Sequence, residues 1–337
     1  MTTVRELGEL ALIERLAERV AGARLQPPAF DGFELRTGIG DDAAVWRLER
    51  GVTVTTTDTM VEGTHFTPQT ASWADVGWKL WTANVSDVAA MGGTPLAGVV
   101  TLGLPPATPL SAVDDLYNGM LDACRAYRTL LVGGDIVGSP TAFFTVAMSG
   151  ACLDEPLARS AGRPGDAVAV TGPLGASAAG LRLLLAGRTP SSDAERSLAE
   201  AHRRPCARVD AGQRLVEAGV RCAMDVSDGL AADLAKLALA SGCGVRIDAA
   251  AVPVAAAARE VFPDEAAQLA LGGGEEYELV FAGPAPAVSR AVAALPGAAV
   301  VGELTDAEPG SVPGVVSVVD GSGAPVEVAE AGWEHLR

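Results

Sequence analysis

The hydrophobic and polar positions in the first half of the chain change spacing repeatedly, which is typical of a mixed α/β arrangement. Leu7, Leu10, Ile13, Leu16 and Val20 recur at helical spacing and predict a helix over residues 5–21. Two further segments predict helices, at residues 73–91 and 111–127. Runs of β-branched and apolar residues predict strands at 52–57, 96–104 and 141–153.

The second half shows the same mixture of spacings. Helices are predicted at 176–186, 209–219 and 230–240, and strands at 166–170, 223–225, 245–247, 275–281 and 298–301. The polar segment 187–208 is predicted to be a surface excursion, in which His202 is solvated. The mixed order predicts two α/β or α+β domains, an N-terminal one at 1–150 and a C-terminal one at 151–337.

The net charge of the chain limits the kinds of molecule that it is expected to bind. The 337 residues include 42 acidic and 25 basic side chains, which gives a net charge of −17, and Lys79 and Lys236 are the only lysines. Nucleic acid is disfavoured as a partner, since phosphate backbones are held by Lys and Arg. An acidic protein can still bind anionic substrates if divalent cations lie between carboxylate and phosphate.

The cysteines and the N-terminus bear on location. The five cysteines form no Cys-x-x-Cys pair. We therefore expect free thiols in a reducing cytoplasm. The first 20 residues are amphipathic and charged, unlike a signal peptide, and no apolar run is long enough to span a membrane. The sequence predicts a cytoplasmic protein.

Carboxylates recur at glycine-rich junctions and predicted strand ends in the first half. Asp41 and Asp42 follow Gly38-Ile39-Gly40, where a plain turn is an equally good interpretation. Asp58 is predicted at the end of a strand, after Thr55, Thr56 and Thr57. Carboxylate and hydroxyl oxygens are the ligands that Mg²⁺ prefers, although an ordinary strand-end cap is the alternative.

Two more polar groups belong to this half. Asn84 and Asp87 fall near the otherwise apolar face of the predicted helix 73–91, where a buried polar group needs a metal or a hydrogen-bond partner. Gly133-Gly134-Asp135 follows an apolar strand, and its glycines permit close approach of the backbone to a ligand.

The second half contributes two motifs. In Asp225-Val226-Ser227-Asp228-Gly229 a strand leads into a helix, whose N-terminus favours anions, although Ser227 or Asp228 as a simple N-cap is a strong alternative. Gly272-Gly273-Gly274 precedes a predicted strand carrying Glu275, Glu276 and Glu278, and we expect these acids to face a substrate.

Several nucleotide-binding motifs are excluded. The chain has no Gly-x-x-x-x-Gly-Lys-[Ser/Thr] loop and no His-Arg-Asp or Asp-Phe-Gly motif. Its histidines, His65, His202 and His335, are too dispersed for a histidine metal site.

The ordered motifs GIGDDAA, TTDTMVEGTHF, NVSDVAAMGG, GGD, RSAGRPGD, DVSDGL and GGGEEYEL resemble those of the thiamine-monophosphate kinase family. That family shares a superfamily with aminoimidazole ribonucleotide synthetase and selenophosphate synthetase. The resemblance runs from Gly38 to Trp333. It implies a homodimer built on the N-terminal domain, with a C-terminal α/β domain covering the ATP and magnesium site.

The resemblance also implies a reaction. The γ-phosphoryl group of ATP would pass directly, in line, to thiamine monophosphate, giving thiamine diphosphate and ADP. Because both reactants are anionic, several Mg²⁺ ions would neutralise their repulsion and align them. The acceptor phosphate needs no strong general base, so no residue is assigned a covalent role.

By motif position the resemblance implies three sets of residues. The metal ligands would be Asp42, Thr56, Thr57, Asp58, Asp87, Asp135, Asp225 and Asp228. The ATP contacts would be Tyr117, Gly134, Asp135, Arg159 and Ser227. The thiamine-phosphate contacts would be His65, Glu275 and Trp333.

Two departures and two rivals remain. The family often has a Thr-Thr-Arg-Gly-like stretch where this chain has residues 136–139, which contain no arginine to contact a phosphate. Glu276 replaces the usual Asp. Another superfamily enzyme is one rival, although the reactive cysteine and lysine expected near the N-terminus of a selenophosphate synthetase are missing. The other is a non-catalytic Ca²⁺-binding protein, but such loops usually pack their ligands into one short segment.

Overall fold

The structure is a computed structural model and describes residues 2–41, 43–307, 312–329 and 332. The chain divides into two compact units. Unit 1 comprises residues 1–88 and 93–155, and unit 2 comprises residues 89–92 and 156–337. Both mix helices and strands, which confirms the predicted α/β class.

Unit 1 is built on strands that alternate with helices. Its helices are α1 (Val4–Leu7), α2 (Glu9–Gly22), α3 (Trp73–Ala90, whose last two residues belong to unit 2) and α4 (Leu110–Tyr127). Its strands are β1 (Phe33–Thr37), β2 (Val45–Leu48), β3 (Val52–Val61), β4 (Thr94–Leu104), β5 (Leu130–Gly138) and β6 (Phe143–Cys152).

The main sheet of unit 1 has the strand order β3-β6-β4-β5. β6 is antiparallel to both β3 and β4, whereas β4 and β5 are parallel and are joined through α4. The even-numbered positions of β6 from Phe144 to Cys152 are buried, and the odd-numbered ones from Phe143 to Ser149 are partly exposed. One face of the sheet therefore forms the core, since side chains alternate between the faces of a strand.

The helices α3 and α4 approach each other closely at two glycines. A Cβ atom at Gly77 would lie 2.0 Å from the carbonyl oxygen of Leu116, and one at Gly119 would lie 1.9 Å from that of Ala74. Only glycine fits at such distances. Behind this contact, Trp81 of α3 is fully buried against the sheet at Gly98.

Unit 2 contains a six-stranded sheet of order β12-β9-β11-β7-β10-β8. Its strands are β7 (Ala167–Val170), β8 (Cys222–Asp225), β9 (Cys243–Asp248), β10 (Leu279–Gly283), β11 (Ala299–Asp306) and β12 (Val316–Val319). Its helices are α5 (Ala176–Leu185), α6 (Asp193–Arg203), α7 (Val209–Glu217), α8 (Leu230–Ser241), α9 (Ala256–Val261), α10 (Ala266–Gly272) and α11 (Ala285–Ala294). Apolar clusters lie on both faces of this sheet.

Two predictions for this unit were wrong. The segment 187–208 is not an excursion, because it contains α6, which begins with a capping box between Ser192 and Glu195. The predicted strand 275–281 begins only at Leu279, because Glu275 and Tyr277 have left-handed φ angles of 59° and 54°.

All five cysteines are free thiols. Within the described ranges, no helix combines the length and the hydrophobicity that crossing a membrane would require.

Candidate functional site

Three of the predicted metal ligands of unit 1 come together on the helix side of β3. Thr56 and Asp58 share the face that carries the buried Met60. They lie about 7 Å apart along the strand, since residues two apart are separated by twice the strand rise. The hydroxyl of Thr56 donates a hydrogen bond to Oδ2 of Asp87, which extends from α3. The prediction that Asp58 ends its strand was wrong, because β3 continues to Val61.

Two other members of the set face the opposite side of the same sheet. Thr57 neighbours Thr56 in β3, and its hydroxyl donates to the carbonyl of Val146 at 3.0 Å. Asp135 lies in one row across the sheet with Thr101, Thr145 and Thr59, one position away from the row of Asp58. The structure therefore separates Asp135 and Thr57 from Thr56, Asp58 and Asp87 by the thickness of the sheet.

The Gly-Gly-Asp motif lies within β5 rather than in a loop after it. A Cβ atom at Gly134 would lie 2.3 Å from the carbonyl oxygen of Val100 in β4. Close contact between neighbouring strands therefore requires this glycine, whatever else it binds.

The oxygen donors on the helix side of β3 fit a hard cation. Asp58 and Asp87 offer carboxylates and Thr56 a hydroxyl, all of which suit Mg²⁺. Asn84, one helical turn before Asp87, is fully buried, and its Oδ1 has no hydrogen-bond partner among the described residues. Asp42 lies outside the described residues. Within those ranges, no three His, Cys, Asp or Glu side chains form a group that could hold a metal ion.

Two further predicted residues of unit 1 are placed differently. His65 is in the turn after β3, where its Nδ1 accepts a hydrogen bond of 3.1 Å from the backbone N–H of Val61. Its ring proton is therefore on Nε2. Tyr117 lies on the buried side of α4 and is only 5% exposed, and burial raises the pKa of its hydroxyl above the usual range.

In unit 2 the Asp225–Gly229 segment links β8 to α8. Asp225 is buried at the end of β8. The carboxylate of Asp233, in the first turn of α8, accepts the N–H groups of Ser227, Asp228 and Gly229 at 2.9, 2.9 and 3.1 Å. Asp233 therefore fixes the loop, whereas neither Ser227 nor Asp228 caps α8 through its side chain.

Asp228 has a cationic partner. The ammonium of Lys236 donates to Asp228 and, at 2.7 Å, to Oδ1 of Asp233. Burial works against this charge, but the hydrogen bonds to both carboxylates prevail and raise the pKa of Lys236. A metal ion that binds Asp228 must share this carboxylate with Lys236 or displace it.

The triple-glycine segment packs directly onto this loop. The N–H of Glu275 donates to the carbonyl of Ser227 at 2.7 Å, and that of Tyr277 donates to Val226 at 2.9 Å. A Cβ atom at Gly274 would lie 2.6 Å from the carbonyl oxygen of Ser227. Glu275 and Ser227, two predicted contact residues, are therefore adjacent.

Two of the three acids in this segment bind other elements of unit 2 through hydrogen bonds. The carboxyl of Glu276 accepts the N–H groups of Ser177 and Ala178 at the start of α5, at 3.0 and 3.4 Å. Burial raises its pKa to about 8, although these hydrogen bonds oppose the shift. Glu278 accepts from Thr171 at 2.6 Å and from the guanidinium of Arg208. Glu276 and Glu278 are therefore held by other elements of unit 2, whereas Glu275 is the acid of this segment that is predicted to contact the substrate.

Two predicted contacts remain to be placed. Arg159 is exposed, and its carbonyl accepts from the hydroxyl of Ser241 at 2.8 Å. Trp333 lies outside the described residues.

Sequence reasoning missed three residues beside the candidate site in unit 2. Asp233 and Lys236 fix the loop that carries Asp228, and their positions in the first turns of α8 are the signal that was available. His202 was predicted to be solvated but is 2% exposed, and its neighbours in sequence gave no warning.

Comparison with known proteins gives a family for both halves of the chain. Residues 40–152 match the model of the AIR synthase related protein N-terminal domain, and residues 163–314 match that of the C-terminal domain.

Relatives and solved structures agree with this. The thiamine-monophosphate kinase of Escherichia coli strain K12 is 38% identical over 282 residues, which cover 82% of this chain and 83% of that protein. The AaThiL structure complexed with AMPPCP and TMP has a TM-score of 0.75 and 31% identity, and covers 100% of this chain and 99% of that one. The thiamine-monophosphate kinase of Stenotrophomonas maltophilia K279a has a TM-score of 0.77 and 32% identity, covering 95% and 98%. The chain therefore belongs to the AIR synthase related protein family, and within it to the thiamine-monophosphate kinases.

Proposed function

We infer that this chain transfers the γ-phosphoryl group of ATP to thiamine monophosphate, producing thiamine diphosphate and ADP. Family membership supports this reaction. The observation in the structure that carries it is the grouping of Thr56, Asp58 and Asp87, three oxygen donors on one side of β3. In a strongly acidic chain, such donors provide a way to bind two anionic substrates through cations.

We propose that several Mg²⁺ ions take part. The residues that would hold them are Asp42, Thr56, Thr57, Asp58, Asp87, Asp135, Asp225 and Asp228. When bound, the metal would neutralise the charge of the phosphates and favour in-line transfer. Asp58 and Asp135 face opposite sides of one sheet, which supports the binding of more than one ion.

The remaining predicted residues would bind the organic parts and the outer phosphates. Tyr117, Gly134, Asp135, Arg159 and Ser227 would contact ATP, and His65, Glu275 and Trp333 would contact thiamine monophosphate. The adjacency of Ser227 and Glu275 supports binding of the two substrates side by side. The acceptor phosphate is itself the nucleophile, so the chain needs neither a covalent residue nor a strong base.

We also propose that the protein is a cytoplasmic homodimer. The outer face of the unit 1 sheet exposes Thr53, Thr55, Thr57 and Thr59 together with Val99 and Val137, which are 37% and 38% exposed. Thr57 and Asp135 share this face, so an ion that they hold would lie where the two copies meet. A sheet buried on one face only can bury the other against a second copy. The free thiols support a reducing compartment.

The experiment supplies purified protein with ATP, Mg²⁺ and thiamine monophosphate and measures thiamine diphosphate by chromatography. We expect product that depends on all three additions, and none when unphosphorylated thiamine replaces the acceptor. A yield no higher than that of a control without enzyme would refute the substrate assignment.

A further inference from the structure

The buried imidazole of His202 lies beside a predicted substrate residue. His202 is in the last turn of α6 and is 2% exposed. Its Nδ1 lies 3.4 Å from Oε2 of Glu275 and 3.3 Å from Oγ of Ser177 in the first turn of α5. Nδ1 of His202 therefore contacts both the start of α5 and the segment that carries Glu275.

The chemistry of these neighbours favours one of the two ring tautomers of His202. An ionised carboxylate can only accept a hydrogen bond, whereas a hydroxyl can donate or accept. A proton on Nδ1 would let the ring donate to Glu275, and the same proton would then be shared with Ser177. His65 shows the opposite arrangement, because its Nδ1 accepts from the backbone of Val61.

The backbone at Glu275 is already held in an unusual conformation. Its φ of 59° is one that residues other than glycine rarely adopt, and its N–H donates a hydrogen bond to the carbonyl of Ser227. Such conformations persist where the surroundings determine them, and they cluster at functional sites. This fixes where the side chain begins, but not where its carboxylate points.

Ser177 at the start of α5 links the surroundings of Glu275 and Glu276. The N–H of Ser177 binds Glu276, and its hydroxyl contacts His202. The side chain of Glu275 is 27% exposed, whereas that of His202 is only 3% exposed. The histidine thus approaches the carboxylate from the protein interior and leaves its outer side accessible.

We propose that His202, supported by Ser177, is a positioning residue that orients the Glu275 carboxylate for thiamine monophosphate. This rests on the proposed role of Glu275 on the thiamine-phosphate side. His202 itself contacts neither substrate in this account. It acts through a hydrogen bond that a protonated Nδ1 would donate to Glu275.

The first test does not depend on activity. The chain has three histidines, so long-range ¹H–¹⁵N spectra of ¹⁵N-histidine-labelled protein are simple to assign. We expect a protonated Nδ1 at His202 and an unprotonated Nδ1 at His65. An unprotonated Nδ1 at His202 would overturn the proposal.

The second test separates positioning from structure by kinetics. We expect His202→Ala to raise KM for thiamine monophosphate about tenfold and to change KM for ATP less than about twofold, because one substrate contact is misplaced. His202→Asn, whose amide nitrogen can occupy the place of Nδ1, should recover most of the affinity. Leu198→Ala, one turn earlier in α6 and fully buried, is the matched control and should leave both KM values within about twofold of wild type.

A double-mutant cycle completes the design. Adding His202→Ala to Glu275→Ala should raise KM no further, since both changes remove the same contact. Multiplied effects, or equal effects of Leu198→Ala and His202→Ala, would refute positioning. A wild-type protein without turnover would instead refute the proposed function. An active Glu275→Ala variant with unchanged KM would refute the role of Glu275 and with it that of His202.

Discussion

The burial and hydrogen bonding of a carboxylate in this protein depend more on residues that are distant in sequence than on its sequence neighbours. Glu275, Glu276 and Glu278 lie within four positions, yet one is partly exposed, one binds the start of α5 and one binds Arg208 and Thr171. Those partners of Glu276 and Glu278 are 70 to 107 positions away along the chain. The sequence shows three acidic residues close together, but it does not show which of them is exposed and which binds another element of the fold.

Glu276 should make stability depend on pH in a distinctive direction. Its pKa rises on folding from an ordinary 4.5 to about 8, chiefly because of burial. The folded state therefore holds its proton more tightly, and the stabilisation is complete below about pH 4.5 and is lost as pH rises through about 8. Each unit of pKa difference corresponds to about 1.4 kcal/mol.

Urea unfolding of the wild type and of Glu276→Gln at pH 5, 7 and 9 measures this effect. The amide keeps an oxygen for the two N–H groups but cannot ionise, so the wild type should lose stability relative to the variant as pH rises. Glu217→Gln, at an exposed position of α7, is the control and should show no such trend. A difference between wild type and Glu276→Gln that stays constant over this range would contradict the assignment.

At the scale of elements, the contact between α3 and α4 determines where Asp87 lies. Gly77 and Gly119 let the two backbones touch, and α3 then presents Asp87 to Thr56 of β3. The position of a predicted metal ligand thus depends on two glycines that belong to none of the recognised motifs.

Gly119→Ala should destabilise the protein by about 1–3 kcal/mol, because the added methyl group must push the helices apart. Gly22→Ala is the matched control, since a Cβ there would meet nothing within 4 Å. It should be neutral or slightly stabilising, because alanine favours helices. Thermal unfolding of both variants measures this, and equal midpoints would show that the contact is looser than described.

Elements with strong periodicity were predictable, and those governed by distant contacts were not. The helices α3, α4 and α8 and the strands β4, β6 and β7 lie close to their predicted ranges. The helix α6 was missed although its Ser192–Glu195 capping box is a local signal, because its polar composition favoured an exposed loop. β10 starts late because the backbone N–H groups of Glu275 and Tyr277 are hydrogen-bonded to residues 227 and 226. No local sequence pattern predicts these hydrogen bonds.

For the candidate site, the motifs predicted residue types and chemistry but not which side of an element a residue faces. The adjacency of Thr56 and Asp87 required the fold of unit 1, and the separation of Asp58 from Asp135 required the sheet register. His202 was beyond sequence reasoning, because only tertiary packing places it beside Glu275, whereas Lys236 is eight positions from Asp228 and its place in α8 was a local signal.

At the scale of the whole molecule, the outer face of the unit 1 sheet predicts a dimer. Val99→Arg would place a charge at the centre of this face, where burial against a second copy would be costly. We expect light scattering to show a wild-type dimer and a folded Val99→Arg monomer. Val300→Arg, at a similarly exposed valine of unit 2, should remain dimeric. A monomeric wild type, or a dimeric Val99→Arg variant, would contradict this interface.

We propose that aspartates of this chain hold the magnesium needed to phosphorylate thiamine monophosphate. The most direct test of this proposal is the rate of thiamine diphosphate formation across a range of Mg²⁺ concentrations for the wild type, Asp87→Asn and Asp75→Asn. Asp75 is in the same helix but binds Ser72 at its start, at 2.7 Å. We predict Mg²⁺-dependent turnover in the wild type, at least a roughly hundredfold loss in Asp87→Asn, as expected when charge stabilisation of the transition state is removed, and near-normal rates in Asp75→Asn. A folded Asp87→Asn variant that matches the wild type at every Mg²⁺ concentration would contradict the account.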